Sequence, residues 1–269
     1  MTKTILITGS TDGIGLETVK ILAGQGHTLL LHGRSAQKLA DVQKQLLEIE
    51  GVGTIETYQA DLSNLAEVET LAKAITDKYS QLDVLINNAG VYKIAKPLSA
   101  NGYDLRFIVN TIAPYLLTQS LLPLLGSEGR VINLSSAAQS PVDYYAFAGK
   151  APLDDQAAYA QSKLAITMWS FHLAHSYGEE GPVFVAVNPG SLLASKMVKD
   201  AYGVAGCDLS IGANILVRAA LDDQFSNVSG QYFDNDRGQF SDPHPDALDL
   251  KKNEQLVNAV EEVLSQIHV

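Results

Sequence analysis

The chain has 269 residues, with 19 Lys and Arg against 30 Asp and Glu, and its formal net charge is −11. Apolar residues make up 46% and charged residues 18% of the sequence, which excludes a disordered or low-complexity chain. The acidic balance argues against DNA or RNA as a partner, because no basic field would attract a polyanion. At this length we expect one domain over residues 1–269.

Cysteine usage and the N-terminus indicate the compartment. The lone Cys207 excludes an internal disulfide framework and a multi-cysteine zinc site. No apolar run reaches the roughly 18 residues of a membrane span. Residues 1–3 lead directly into an apolar run, without the order of segments that marks a signal peptide. We therefore expect a cytoplasmic protein without a membrane partner.

Short runs that are apolar throughout recur along the chain, as expected for parallel strands covered by helices on both faces. They lie at 5–7, 29–31, 84–86, 131–134 and 183–187. A weaker strand at 54–58 alternates polar and apolar residues, and helical periodicity fills intervening stretches such as 35–48 and 65–79. This alternation predicts a Rossmann-like, doubly wound α/β fold, whose mainly parallel sheet has about seven strands and carries helices on both faces.

The C-terminal part of the chain differs from this pattern. Residues 234–245 are polar and rich in turn-forming residues, and a final helix is predicted from about 253 to 267. We therefore expect a C-terminal extension of the domain from about residue 235.

A glycine-containing turn, TGSTDGIG at residues 8–15, follows the first predicted strand and opens a helix. Glycines allow positive φ and close backbone approach, and a helix N-terminus favours a diphosphate. The alternative is an ordinary tight strand–helix turn. Its position at the first strand–helix junction favours a dinucleotide site. The coenzyme contacts predicted here are Gly9, Ser10, Thr11, Gly13, Ile14 and Gly15.

The end of the second strand indicates which coenzyme binds. A carboxylate about 20 residues beyond the glycines marks NAD sites, but residues 31–35 read LHGRS. Arg34 can instead meet a 2′-phosphate with paired, charge-assisted donors. NADP(H) is therefore favoured over NAD(H), and the alternative is a solvated arginine at a helix start.

A tyrosine and a lysine four positions apart can share one helix face. Tyr159 and Lys163 lie in a helical pattern from about Asp154 to Gly178. Lowering the pKa of a tyrosine from about 10 to about 7 requires roughly 4 kcal/mol of phenolate stabilisation, and a neighbouring ammonium has the right sign. A second match, which begins at Tyr92 and precedes Pro97, lies in a predicted loop and is set aside.

With these features the chain resembles the classical short-chain dehydrogenases/reductases over about residues 3–234. Further motifs match the family, and most of them follow predicted strands. They are Asp61-Leu62, Asn88-Ala89-Gly90, Asn110, Ser136 and Pro189-Gly190. The resemblance implies that Asp61, Leu62, Asn88, Ala89, Gly90, Tyr159, Lys163, Pro189 and Gly190 also contact the coenzyme.

The resemblance also implies the catalytic roles. Tyr159 is the general acid/base, and Lys163 binds the nicotinamide ribose and lowers the tyrosine pKa. Ser136 hydrogen-bonds the substrate oxygen, with Ser135 as the runner-up. Asn110 supports a proton relay. Taken alone, this asparagine would be interpreted as an amide that caps a helix or whose hydrogen bonds are satisfied within the core. Nothing in the sequence calls for a metal.

Two departures from the family pattern concern the substrate side. Ser136 and Tyr159 are 23 positions apart, a lengthening that is similar to that of retinol dehydrogenases. Its aromatic residues form either one wall of a lipophilic pocket or a surface insert.

Ala194 stands where the family usually has a nicotinamide-contacting threonine, and Ser195 is an alternative replacement. Residues 192–206 suit either a mobile lid or an ordinary connection.

The expected function is hydride transfer between NADP(H) and a carbonyl or alcohol substrate, with reduction of a ketone or aldehyde favoured. The alternatives are reduction of an activated C=C bond and a non-catalytic NADP(H)-sensing protein, since fold likeness alone does not establish function. The resemblance also implies a homodimer or homotetramer that forms through helices near Tyr159.

Overall fold

The computed structural model describes residues 2–194, 203 and 206–267. The described strands form one eight-stranded sheet in the order β3-β2-β1-β4-β5-β6-β7-β8. The strands are β1 (Thr4–Ile7), β2 (Thr28–Gly33), β3 (Ile55–Gln59), β4 (Val84–Asn87), β5 (Arg130–Leu134), β6 (Val183–Asn188), β7 (Gln231–Asp234) and β8 (Gln239–Ser241).

Strands β1 to β7 are parallel, and β8 pairs with β7 in the antiparallel direction. The predicted Rossmann-like class is confirmed, with one strand more than the expected seven. The extra strand lies in the polar stretch that predicted only turns, because three residues are too few to show a period. Gly238, at φ +67°, helps to reverse the chain, and Phe240 packs on Phe233 with ring centroids 5.0 Å apart.

Helices cover both faces of the sheet. They are α1 (Gly13–Ala23), α2 (Ala36–Leu47), α3 (Leu65–Thr76), α4 (Leu105–Phe107), α5 (Ala113–Leu125), α6 (Tyr144–Phe147), α7 (Asp155–Tyr177), α8 (Leu209–Leu221) and α9 (Leu250–Ile267). Helices α1, α2 and α8 share one apolar cluster, and α3, α5, α7 and α9 share the other. The strands serve both clusters, since Leu6 packs in one while Ile5 and Ile7 pack in the other.

One described helical stretch, Leu105–Leu125, is long and apolar enough to cross a membrane by length and composition. In this fold 67% of its apolar window is buried inside the protein. It comprises α4, a π-helical turn and α5, and it packs against α3 and α7. The stretch therefore serves as a core helix here.

The C-terminal extension is part of the packed structure. Helix α9 packs along α7 and buries Leu256 and Val260 completely. Two tyrosines of the core reach it, because Tyr103 Oη donates to Gln266 Oε1 and Tyr115 Oη donates to Glu261 Oε1, both at 2.6 Å. The helix begins at Leu250, three residues before the predicted start.

Candidate active site

The glycine turn packs directly against the loop that follows β4. A Cβ on Gly9, which has φ +67°, would lie 2.9 Å from Ala89 Cα, and a Cβ on Gly15 would lie 2.5 Å from Asn88 Nδ2. Thr8 Oγ1 accepts hydrogen bonds from the backbone N–H groups of Asn88 and Ala89, both at 3.0 Å. Side chains at either glycine would therefore force the two loops apart.

A cavity of about 390 Å³ runs along the carboxyl edge of the strands, where open α/β sheets bind their ligands. Most of the predicted coenzyme contacts line it. These are Gly9, Thr11, Gly13, Ile14, Arg34, Asp61, Leu62, Asn88, Ala89, Gly90, Tyr159, Lys163 and Pro189. A glycine cradle at a helix start fits the diphosphate of a dinucleotide, so the residues present fit a nicotinamide coenzyme.

Three of the predicted contacts are not among the residues that line this cavity. Ser10 is fully buried, and its Oγ donates to the carbonyl of His32 at 3.1 Å. Gly15 packs beneath Gly9, and Gly190 follows Pro189 in the turn after β6. Ser10 and Gly15 therefore support the glycine turn from its buried side.

Helix α7 carries Tyr159 and Lys163 into the cavity. The helix begins after Asp154, whose side chain caps it by accepting from Ala157 N at 2.7 Å. Lys163 is 4% exposed, its Nζ donates to Leu134 O at 2.7 Å, and it lies 5.7 Å from the centroid of the Tyr159 ring. Burial lowers the pKa of Lys163 to about 8. The predicted pair thus lies together on one helix face.

Tyr92 also lines this cavity. Its ring is 8% exposed and stands edge-on to the Tyr159 ring, with centroids 4.8 Å apart and an interplanar angle of 83°. Lys96, the other half of the second Tyr-x-x-x-Lys match, is exposed in a loop. The sequence predicts that this motif is not a catalytic pair, but it does not predict that Tyr92 lines the site.

Asn110 lies in a π-helical turn, Ile108–Ile112, between α4 and α5. Its amide pairs with both backbone groups of Val91 at 2.8 and 2.9 Å and donates to Ser162 Oγ at 3.0 Å. A Cβ on Gly90 would lie 3.4 Å from Asn110 Oδ1 and 3.6 Å from Lys163 Nζ. Asn110 thus joins the β4 loop to α7, and its role in a proton relay stays a prediction.

The two adjacent serines have different surroundings. Ser135 lines the cavity, but its Oγ shares a 2.7 Å hydrogen bond with Thr167 Oγ1 and donates to Lys163 O at 3.2 Å. Ser136, the serine that the sequence favoured, is half-buried and is not among the residues that line the cavity, and its Oγ accepts from Ala138 N at 3.1 Å. A hydroxyl that accepts from a backbone N–H keeps its own proton for another partner.

The β7–β8 hairpin supports the loops on the substrate side. Tyr232 Oη donates to Ser136 O at 3.1 Å, and Asn235 Nδ2 donates to Pro189 O at 2.9 Å. Asp236 accepts from the backbone and hydroxyl of Ser191 at 2.8 and 2.6 Å. The sequence reasoning missed these contacts, since it treated the region as a polar tail.

The lengthened segment packs on the apolar core. Phe147 is buried against Phe107 with ring centroids 4.9 Å apart, while Tyr145 is 62% exposed. Among the described residues, none of the segment's aromatic side chains lines the cavity.

Ala194 lies at the base of the predicted lid, where its N–H donates to Cys207 O at 2.6 Å. Ser195 and most of the predicted lid lie outside the described residues.

Comparisons with known proteins agree with this geometry. Retinol dehydrogenase 13 of Mus musculus is 28% identical over an alignment 266 positions long, which covers 92% of this chain and 79% of that protein. The structure of an uncharacterised protein from Mycobacterium paratuberculosis has a TM-score of 0.80 at 25% identity, covering 97% of this chain and 92% of that chain. The predicted likeness to retinol dehydrogenases is therefore confirmed.

A second solved structure holds a coenzyme. It is a short chain dehydrogenase of Shigella flexneri complexed with NADP, with a TM-score of 0.68 at 28% identity, covering 87% of this chain and 96% of that chain. The family model described as short chain dehydrogenase matches residues 3–203. Since that match spans most of the chain, the protein belongs to the short-chain dehydrogenase family and is an oxidoreductase acting on CH–OH and C=O groups.

Proposed function

We propose that the protein reduces a ketone or aldehyde with NADPH. The observation that carries the proposal is the position of Tyr159 beside the buried ammonium of Lys163, in the same cavity as the glycine turn. A binding protein needs the turn but has no use for a phenol next to an ammonium. Together these features support proton transfer at a carbonyl oxygen.

The division of roles follows from the side chains. The Tyr159 hydroxyl donates a proton to the carbonyl oxygen, and the Lys163 ammonium stabilises the phenolate that remains. Ser136 hydrogen-bonds the same oxygen, because its Oγ accepts from Ala138 N and keeps its own proton, whereas the Oγ of Ser135 is engaged by Thr167. Asn110 holds the β4 loop against α7. When bound, the coenzyme supplies the hydride.

Two cations near the glycine turn support the preference for NADP(H). Arg34 is exposed and lines the cavity at the end of β2. Lys38 reaches the same region, where its Nζ lies 3.6 Å from Asp12 Oδ2. Sequence reasoning assigned a 2′-phosphate to Arg34 alone, because the position of Lys38 depends on how α2 faces the turn.

Replacing Arg34 by alanine is expected to raise the Michaelis constant for NADPH roughly ten- to hundredfold, the usual worth of hydrogen bonds to a charged group. The Michaelis constant for NADH should change little, because NADH has no 2′-phosphate. Initial rates with each coenzyme measure both values. Lys44→Ala, an exposed charge near the far end of α2, controls for general electrostatics. An equal loss for the two coenzymes would contradict the assignment.

The activity itself is tested by NADPH oxidation against a panel of ketones, aldehydes and activated alkenes, with coenzyme binding measured separately. Turnover of a ketone or aldehyde is the expected result. Turnover of alkenes alone would make the protein a C=C reductase. Tight NADPH binding without turnover of any compound would favour the sensing protein.

We also propose a cytoplasmic protein that self-associates. The free, exposed thiol of Cys207 suits a reducing compartment. We propose a homodimer or homotetramer that forms through helices near Tyr159, one of which, α7, is partly covered by α9 of the same chain. Light scattering on the purified full chain measures its mass in solution.

A further inference from the structure

His32 lies on the wall of the coenzyme cavity without a part in the proposed reaction. It lies in β2, close to the carboxyl end of the strand, and is 2% exposed. Its ring bridges two loops, because Nδ1 accepts from Gly9 N at 3.2 Å and Nε2 lies 3.0 Å from Ala60 O. These loops follow β1 and β3, the two strands that flank β2.

The two partners determine the protonation of the ring. The Gly9 N–H can only donate and the Ala60 carbonyl can only accept, so the imidazole carries its proton on Nε2 and is neutral. The nearby charged groups, Asp61 and Arg34, act on its pKa in opposite directions. Burial dominates and lowers the pKa of His32 to about 4. The ring therefore keeps both contacts at neutral pH.

Both loops held by His32 line the cavity. Gly9 belongs to the glycine turn, and Ala60 directly precedes Asp61 and Leu62. The backbone carbonyl of His32 also accepts from Ser10 N at 3.0 Å and Ser10 Oγ at 3.1 Å. This one residue therefore contacts both the glycine turn and the loop after β3.

We propose that His32 is a positioning residue for the coenzyme, which acts by holding the glycine turn and the β3 loop at the separation that the adenosine half requires. The inference rests on the proposed coenzyme function. It predicts that loss of the ring contacts weakens binding of the adenosine half, while proton transfer at Tyr159 is unaffected.

Three variants separate positioning from folding. His32→Phe keeps a ring of similar volume and removes both hydrogen bonds. His32→Asn keeps an acceptor for Gly9 N–H, because Oδ1 of asparagine branches from the same carbon as Nδ1 of histidine. His27→Phe is the matched control. His27 is also buried, and it accepts a hydrogen bond from the backbone N–H of Lys3 at 3.2 Å. It lies just before the first residue of β2, at the end of the strand opposite to His32.

The readouts are the dissociation constants of NADPH and of 2′-phosphoadenosine diphosphate ribose, together with kcat and the melting temperature. His32→Phe should weaken both ligands roughly tenfold or more, since a buried donor and acceptor lose their partner. Its kcat at saturating NADPH should stay within about twofold. His32→Asn should recover much of the affinity. His27→Phe should lower the melting temperature without changing either dissociation constant.

The outcomes distinguish the two proposals. If the wild-type protein binds no NADPH, the proposed function fails and this inference fails with it. If the wild type binds and His32→Phe binds equally well, only the positioning role is overturned. If His32→Phe does not fold, the positioning role is tested by the dissociation constants of His32→Asn and by nitrogen NMR of the wild-type histidines. A His32 ring protonated on Nδ1, or one that titrates between pH 6 and 7, would overturn the inference.

Discussion

Replacing Tyr159 by phenylalanine is expected to lower kcat by about 10²–10⁴-fold, the usual contribution of a positioned general acid. The ring packs beside Lys163 and edge-on to Tyr92, and phenylalanine keeps both contacts. Because only the hydroxyl is lost, the dissociation constant of NADPH should change by less than about threefold. Steady-state rates with the best carbonyl substrate and a fluorescence titration with NADPH measure the two effects.

The matched variant is Tyr92→Phe, which removes a hydroxyl from the neighbouring ring in the same cavity. Its kcat should fall less than about tenfold, because its hydroxyl is not the proton donor. The two variants test the choice between the two Tyr-x-x-x-Lys motifs. That choice would be reversed if Tyr92→Phe lost activity as severely and Tyr159→Phe retained it.

Local signals in the sequence were enough to predict most of the fold. The five apolar runs correspond to β1, β2, β4, β5 and β6, because strands buried on both faces need no alternation, and the alternating stretch corresponds to β3. The predicted helix around Tyr159 runs from Asp155 to Tyr177, and its cap, Asp154, is the residue at which the prediction began. Tyr159 and Lys163 could be predicted because their spacing is itself the geometric requirement.

The remaining features depend on contacts between distant parts of the chain. His32 meets Gly9 across 23 positions, Asp236 meets Ser191 across 45, and Tyr232 meets Ser136 across 96. No periodicity marks such partners. The role of the hairpin in supporting the site follows from the position of β7 beside β6, and that neighbour relation appears only in the folded sheet.

A Lys163→Met variant is expected to be inactive and more stable than the wild type at pH 7. The lysine is fully buried, and burial lowers its pKa from 10.5 to about 8. Below pH 8 both folded and unfolded states hold the proton, so the full cost of burying the charge, about 3 kcal/mol, opposes folding. Loss of the charged hydrogen bond to Leu134 O costs the variant about 1.5–3 kcal/mol, so a net gain on the order of 1 kcal/mol is expected.

The sign of the pH dependence distinguishes this cause from better packing. Between pH 8 and 10.5 the unfolded state binds more protons at this lysine than the folded state, so the free energy of unfolding of the wild type gains a contribution that rises with pH. Lys163→Met has no such group, and its advantage should shrink as the pH rises. Urea unfolding at pH 7, 8, 9 and 10 measures the difference, with the exposed Lys44→Met as control.

A constant difference across this pH range would contradict the burial argument, and a less stable variant at pH 7 would contradict it more strongly. The activity loss should be on the order of 10²–10⁴-fold, because the phenolate of Tyr159 loses its neighbouring charge. A residue that lowers stability while being required for turnover is retained for function alone. In this fold the buried ammonium opposes folding, and the reaction at Tyr159 is what requires it.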